Sequence, residues 1–256
     1  MVDYVRIIPC LDLKDGRIVK GVHFVNLRDA GDPVKNAKFY EKEGADEIAM
    51  LDITATVEGR KTDMDVVRNV VSAVNVPLTV GGGIGSLEDI ARIMDSGASA
   101  VSVSSAGFRN PSLISDAAER YGSEKIIVAI DVDRNPDVPS GYEVYIDGGR
   151  TATGSDALEF AKKAKELGAG QLLPTSKATD GTKEGYDLVI TRAMAEATGL
   201  PVIASGGAGT LEDMYLAVVE GKASGILAAS VFHFREISIP DLKKYLSKRG
   251  VKVSGI

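Results

Sequence analysis

The sequence predicts an α/β protein, namely a single-domain (β/α)8 TIM barrel that spans residues 1–256. Short apolar segments alternate with amphipathic segments from one end of the chain to the other. Eight such units in 256 residues match the size of this barrel. In addition, the sequence of the first half is echoed in the second half. A doubly wound open sheet is the alternative fold.

The apolar segments are near-continuous hydrophobic runs, which are typical of parallel strands covered by helices on the outside. The predicted strands are 6–11, 47–52, 77–80, 100–103, 125–130, 171–175, 201–204 and 225–228. Several of the amphipathic segments begin at Ser, Thr or Asp and several close on Gly, which are helix start and stop signals. The predicted helices include 33–43, 62–74, 86–96, 112–121, 155–167, 186–198 and 210–219.

The connection at residues 13–32 is too long for a plain strand-to-helix loop, and it contains a hairpin-like segment at residues 16–21. Long connections of this kind are usually lids or binding loops. Lys20 in this segment is therefore a candidate substrate clamp, with a solvated surface lysine as the alternative.

The internal repeat relates the predicted strands one to four, in order, to strands five to eight. Residues 7–12 match 126–131, residues 44–48 match 168–172, and residues 98–101 match 223–226. The repeat predicts two homologous half-barrels, at about residues 1–122 and 123–256. Equivalent residues of the two halves should then lie on opposite sides of the barrel mouth.

Two glycine-rich turns join predicted strands to polar helix starts, with the sequences VGGGIGS at residues 80–86 and ASGGAGT at 204–210. Uncovered backbone N–H groups at such a junction suit a phosphate, although a tight turn is the alternative. Hydroxyl-bearing dipeptides follow the next strand in each half. We call Gly81–Gly83 with Ser104 and Ser105 the first cup. The second cup comprises Gly206, Gly207, Ala229 and Ser230.

Two aspartates, Asp12 and Asp131, end matching apolar strands of the two halves. A turn or helix-cap role explains either one alone but not their repetition. Two carboxylates in unequal surroundings can supply the acid and the base of one reaction. The sequence therefore predicts a substrate with a phosphate at each end and acid/base chemistry between them.

Thr175 and the polar loop at 177–185 follow the sixth strand. Asp180 and Gly181 in this loop are candidates near the second phosphate, with a plain surface loop as the alternative.

Composition excludes several classes of protein. A net charge of −6 without a basic block argues against nucleic-acid binding, and no apolar run is long enough to cross a bilayer. The single cysteine, Cys10, fits the reducing cytosol, so a cytoplasmic location is expected. Neither His23 nor His233 has a second ligand at zinc spacing, and nucleotide-binding motifs are absent. No metal or other cofactor is predicted.

Several stretches of the chain resemble the cyclase subunit of imidazole glycerol phosphate synthase, over essentially the whole length. The most specific are CLDLKDGR at residues 10–17 and AASVFHFRE at 228–236, and NLRDAGDP at 26–33 and DGTKEGYD at 180–187 add to them. The resemblance implies a reaction of histidine biosynthesis. A bisphosphorylated ribulosyl formimino aminoimidazole carboxamide ribotide reacts with ammonia to give imidazole glycerol phosphate and the carboxamide ribotide.

The same resemblance implies roles for single residues. Asp12 and Asp131 match the acid/base pair, and Lys20, Thr175 and Ser205 match residues near the substrate. The remaining matches lie in two phosphate sites: Gly83, Ser104 and Ser105 in one, and Gly181, Gly207, Ala229 and Ser230 in the other. Ammonia in this family comes through the barrel from a glutaminase subunit docked on the opposite face.

Some positions depart from the pattern of the cyclase. Arg6 and Glu47 match the charged ring at the ammonia entrance, but Ala100 replaces a lysine and Gln171 a glutamate. These changes leave open whether a glutaminase partner or free ammonia supplies the nitrogen. The alternatives are an aminoaldose–ketose isomerase acting on a related bisphosphate, and a divergent or engineered barrel that binds phosphates without the native reaction. A lyase that forms an imine through Lys177 or Lys20 is a further alternative.

Overall fold

Among the described residues, eight parallel strands pair in a closed ring. The computed structural model describes residues 4–22 and 25–255, and for residues 20–22 and 25–28 it describes only the backbone. In the described residues, the strands are β1 (Arg6–Lys14), β2 (Arg17–Val22), β3 (Val25–Gly31), β4 (Ile48–Asp52), β5 (Leu78–Gly81), β6 (Ala100–Val103), β7 (Ile126–Arg134), β8 (Tyr142–Ile146), β9 (Thr151–Asp156), β10 (Gln171–Ser176), β11 (Ile203–Ala204) and β12 (Gly225–Ala228). Four of them, β2, β3, β8 and β9, are hairpin strands, and the other eight are the strands of the ring.

The ring runs β1–β4–β5–β6–β7–β10–β11–β12 and returns to β1. The contact between β10 and β11 consists of two parallel pairings, Leu172 with Val202 and Thr175 with Ser205. A closed ring of this kind excludes the doubly wound open sheet. The predicted α/β architecture is confirmed, whereas the half-barrel boundaries and a common origin of the halves stay predictions.

Helices connect the strands on the outside of the ring. They are α1 (Pro33–Lys42), α2 (Met64–Val71), α3 (Leu87–Asp95), α4 (Ser105–Arg109), α5 (Ser112–Tyr121), α6 (Ala157–Glu166), α7 (Leu188–Thr198), α8 (Leu211–Val219), α9 (Ser230–His233) and α10 (Ile239–Lys248). Their starts follow the sequence signals: Ser86 accepts the Asp89 N–H before α3, and Thr210 and Asp213 form a capping box at α8. No helix in the described part of the chain is long and apolar enough to cross a membrane.

The alternation of side chains along each strand decides which residues face the interior of the barrel. A buried cluster fills the interior and comprises Ile8, Cys10, Ala49, Ala100, Ile127, Leu173, Ile203 and Leu227. A larger cluster lies between the strands and the helices. Counting in twos from Ile8 and Cys10 places Asp12 on the inner face of β1, and counting from Ile127 places Asp131 on the inner face of β7. The barrel core thus positions the candidate acid and base at the carboxyl ends of their strands.

A hydrogen-bonded polar network closes the amino-terminal end of the barrel. Arg6 Nη1 donates to Glu47 at 2.7 Å and Arg6 Nη2 donates to the Gln171 amide oxygen at 2.5 Å. The second Glu47 oxygen accepts the Thr79 hydroxyl, and Ala100 belongs to the apolar interior cluster. Gln171 therefore satisfies the guanidinium without adding a second charge to this buried site.

The carboxyl-terminal segment is fastened to the same end. Lys243 Nζ, on α10, is buried and donates to Asp46 at 2.9 Å and to Ser254 at 2.7 Å. The backbone N–H of Val5 donates to the carbonyl of Lys252 at 2.9 Å. These contacts hold the last helix beside β1. Strand β1 pairs with β12 in the ring.

Two antiparallel hairpins rise from the carboxyl-terminal end. The β2–β3 hairpin follows β1, as the long connection predicts, and the β8–β9 hairpin follows β7 without having been predicted. Each hairpin thus extends the strand that carries one of the two aspartates. The tip of the second hairpin is the turn Asp147–Gly149, in which all three residues have positive φ.

Candidate active site

One cavity at the carboxyl-terminal end of the strands collects nearly all of the predicted site residues. Those that line it are Asp12, Ser104, Ser105, Asp131, Thr175, Asp180, Gly181, Ser205, Gly206, Gly207, Ala229 and Ser230. Gly83 does not line the cavity, and its neighbour Gly82 does. The Lys20 side chain lies outside the described residues, as does His23. The ring order places β5 and β6 opposite β11 and β12, so the two cups face each other across the mouth.

The two aspartates also face each other, from β1 and β7. Asp12 Oδ1 accepts a hydrogen bond from the Cys10 thiol, with Sγ at 3.0 Å. Asp131 opens to the cavity on one side and is enclosed by protein on the others. Burial and then the neighbouring Asp180 carboxylate raise the pKa of Asp131 to about 7, against the opposing effects of Lys177 and the Gly149 N–H. Asp131 can therefore hold or release a proton near neutral pH, as a general acid or base must.

The raised pKa of Asp131 predicts a specific pH dependence of stability. The folded state binds this proton more tightly than the unfolded state, so the free energy of unfolding falls as the pH rises toward 7. Asp131→Asn carries no titrating proton and escapes this loss. We expect the stability of Asp131→Asn relative to wild type to grow by about 1–3 kcal/mol between pH 5 and pH 8.

Urea unfolding at the two pH values measures this difference. Asp65→Asn is a matched control, because Asp65 is exposed on α2 and its carboxylate pairs with Arg68 of the same helix. A stability difference that is the same at pH 5 and pH 8 would contradict the assignment of a raised pKa to Asp131.

The first cup is built on two glycines with positive φ, Gly82 at 88° and Gly83 at 69°. A Cβ on Gly82 would overlap the Asp52 carbonyl oxygen, so only glycine fits there. The Gly83 N–H donates to the Thr56 hydroxyl at 3.4 Å, because the loop after β4 lies against this turn. Gly83 therefore supports the cup from behind. Its assignment to phosphate binding stays a prediction.

The other wall of the first cup is the start of α4. Ser104 precedes this helix without a side-chain capping bond, and Ser105 is its first residue. Ser105 Oγ accepts the backbone N–H of Asp147 at 2.9 Å, which ties the hairpin tip to the cup. The hydroxyl proton of Ser105 can still be donated to an anion, since a hydroxyl donates and accepts at the same time.

The second cup has the same construction. Gly206 and Gly207 have φ of 80° and 103°, and the short helix α9 begins at Ser230 after Ala229. The loop after β10 packs on this turn: the Gly185 N–H donates to the Gly207 carbonyl at 2.8 Å, and the Thr179 hydroxyl donates to the Gly206 carbonyl at 3.2 Å. Asp180 and Gly181 of this loop reach the cavity, as the sequence predicts.

Several residues that line the cavity were not among the predicted site residues, and three of them bear on its chemistry. Thr56 and Gly148 line the wall of the first cup, and Cys10 lies below Asp12. The apolar strand around Cys10 predicts a core residue, and the interior cluster agrees with this, but the thiol also contacts the carboxylate. The pair Gly148–Gly149 is a turn signal that could have indicated the hairpin. Within residues 4–22 and 25–255, no group of three His, Cys, Asp or Glu side chains is arranged to hold a metal ion.

Comparison with protein families gives a match over most of the chain. The family model described as Histidine biosynthesis protein matches residues 6–238. The chain belongs to this family. The family consists of enzymes in histidine biosynthesis, and it covers both the aminoaldose isomerase and the cyclase. Membership therefore places the chain in histidine biosynthesis and is consistent with the barrel. It does not distinguish the isomerase reaction from the cyclase reaction.

Proposed function

We propose that this chain is a cyclase of the imidazole glycerol phosphate synthase type, which is a carbon–nitrogen lyase. Its substrates are a bisphosphorylated ribulosyl formimino aminoimidazole carboxamide ribotide and ammonia. Its products are imidazole glycerol phosphate and aminoimidazole carboxamide ribotide. The observation that carries the proposal is a single cavity in which two opposed cups flank two opposed aspartates, one of them with a pKa of about 7.

The cups hold the two phosphates in this proposal. Glycine turns and the starts of α4 and α9 present backbone N–H groups, which bind phosphate oxygens. The hydroxyls of Ser104, Ser105 and Ser230 add donors at the same places. Anchoring both ends of a long substrate places its middle between Asp12 and Asp131, so that binding energy orients the reacting atoms.

The aspartates carry the proton transfers. Addition of ammonia to a ketone gives an imine only if the departing hydroxyl receives a proton, and the attacking nitrogen must lose one. Protonated Asp131 can supply the first proton, and Asp12 on the opposite wall can accept the second. Cleavage of the formimino carbon–nitrogen bond and closure of the imidazole ring require the same two exchanges. Thr175, which pairs with both Asp131 and Ser205, lies beside this reaction.

The sequence supports the cyclase over the isomerase. CLDLKDGR and AASVFHFRE are more specific to the cyclase, and both contribute residues to the cavity: Asp12 from the first, and Ala229 and Ser230 from the second. Neither stretch matches the isomerase as closely. For the ammonia source we propose entry through the barrel from the end closed by Arg6, Glu47 and Gln171, whether ammonia is free or comes from a docked glutaminase.

The test is an assay with the bisphosphate substrate and ammonium salts, with and without a glutaminase and glutamine. We expect ammonium-dependent formation of imidazole glycerol phosphate, detected by mass spectrometry. Conversion of an aminoaldose to a ketose without ammonia would instead identify the isomerase. Tight binding of the bisphosphate with no product would favour the phosphate-binding barrel. A glutamine-dependent rate that requires the glutaminase would support the partner.

A further inference from the structure

The tip of the β8–β9 hairpin contacts both the first cup and the candidate acid. Gly148 lines the cavity, and the Asp147 N–H donates to Ser105 at 2.9 Å. The Gly149 N–H lies near the Asp131 carboxylate and acts to lower its pKa. Three consecutive residues in the left-handed region turn these N–H groups toward the mouth. The position of the tip therefore affects both an anion-binding hydroxyl and the proton affinity of Asp131.

Lys177, the first residue after β10, holds this tip from the side. Its stem runs along the turn, because a Cβ placed on Gly149 would lie 3.3 Å from Lys177 Cγ and Cδ. Its ammonium lies 3.6 Å from the ring centre of Tyr145 on β8 and 3.6 Å from Asp133 Oδ2 on β7. One side chain thus joins the hairpin to the strand that carries Asp131.

We propose that Lys177 is a positioning residue, which fixes the tip of the β8–β9 hairpin over the cavity, with the Asp147 N–H on Ser105 and the Gly149 N–H close to Asp131. Its backbone is itself fixed, since the Lys177 N–H donates to the Val132 carbonyl at 2.9 Å. The ammonium does not line the cavity, so it acts through the hairpin rather than on the ligand. This role of Lys177 rests on the proposed function only for the identity of the ligand, and the contacts that define the role do not depend on it.

The charges around this contact determine the expected pH effect. Asp133 on β7, Glu143 on β8 and Asp180 in the loop after β10 are the anionic neighbours of Lys177 and Asp131. Lys177 is the cation among them that opposes the rise in the pKa of Asp131. Without it the carboxyl faces mainly negative charge, and the Gly149 N–H is no longer held in place. Both changes favour the protonated form of Asp131.

Lys177→Met tests the proposal, because methionine retains most of the apolar stem and removes only the ammonium. Carbon-13 NMR titration of the ligand-free protein should show the pKa of Asp131 raised by about half a unit or more. Calorimetric titration with inorganic phosphate should show affinity lowered about threefold or more. Lys162→Met is the matched control, since Lys162 is exposed on α6 and paired with Glu159. Lys177→Arg keeps the cation and should stay close to wild type.

An unchanged pKa of Asp131 together with unchanged phosphate affinity in folded Lys177→Met would overturn the proposal. So would a lower melting temperature alone, since that is the result of a merely structural contact. If Lys177→Met does not fold, Tyr145→Leu takes its place, because it removes the aromatic face that holds the ammonium. It should shift both quantities in the same directions, and unchanged values would again overturn the proposal. Neither readout uses turnover, so failure of the cyclase assay leaves this test intact.

Discussion

Replacing either aspartate by asparagine is expected to lower turnover by about 10²–10⁴-fold while the barrel stays folded and still binds phosphate. Asparagine has nearly the shape of aspartate, but its amide neither accepts nor releases a proton near neutral pH. Asp12 and Asp131 lie on facing strands and line the same cavity, so each variant should remove one of two coupled proton transfers. The double variant should lose little more than the worse single one, because the two residues act as a unit.

Steady-state turnover with the bisphosphate and ammonium measures the effect, and circular dichroism checks the fold. Asp65→Asn is again the control for an aspartate-to-asparagine change far from the cavity. Full turnover in both Asp12→Asn and Asp131→Asn would remove acid/base catalysis from the proposal.

A methyl group on Gly207 should disrupt the second cup and destabilise the protein by about 2–5 kcal/mol. The φ of 103° at this residue is unfavourable for alanine, and the new Cβ would overlap the carbonyl oxygen of Gly185. The backbone N–H of Gly185 also donates to the Gly207 carbonyl, so the two residues are already in close contact. Either the turn or the loop after β10 must move. Because that loop carries Asp180 and Gly181 into the cavity, phosphate affinity should fall tenfold or more.

Urea unfolding and phosphate titration test this result. Gly199→Ala is the matched control: Gly199 ends α7 with φ of 66°, and an added Cβ there meets nothing within 4 Å. That variant should lose only about 1 kcal/mol, from the left-handed backbone alone, and bind phosphate normally. Equal effects of the two substitutions would show that contact with the loop is unimportant.

The sequence predicts the frame of this molecule well because the frame depends on local patterns. Apolar runs such as 100–103 and 225–228 have the bounds of β6 and β12, and counting in twos along β1 and β7 brings Asp12 and Asp131 to one cavity. The prediction does not include the β8–β9 hairpin, although residues 142–149 carry alternation and an Asp-Gly turn. Still less could the sequence show that the tip contacts Ser105, a residue 42 positions earlier in the chain. Gly83 shows the same limit, since the approach of the loop after β4 decides which glycine of the triplet lines the cavity.

The closure of the ring between β1 and β12 has a consequence for synthesis on the ribosome. Strand β1 can pair with β4 soon after residue 52 leaves the exit tunnel, but its other neighbour ends at Ala228. For most of translation one edge of β1, with its apolar Ile7 and Ile8, has no strand beside it. Unpaired apolar edges are sites of aggregation in nascent chains. The nascent barrel is therefore most vulnerable until its last strand and the α10 segment arrive, and truncation before β12 should yield insoluble protein.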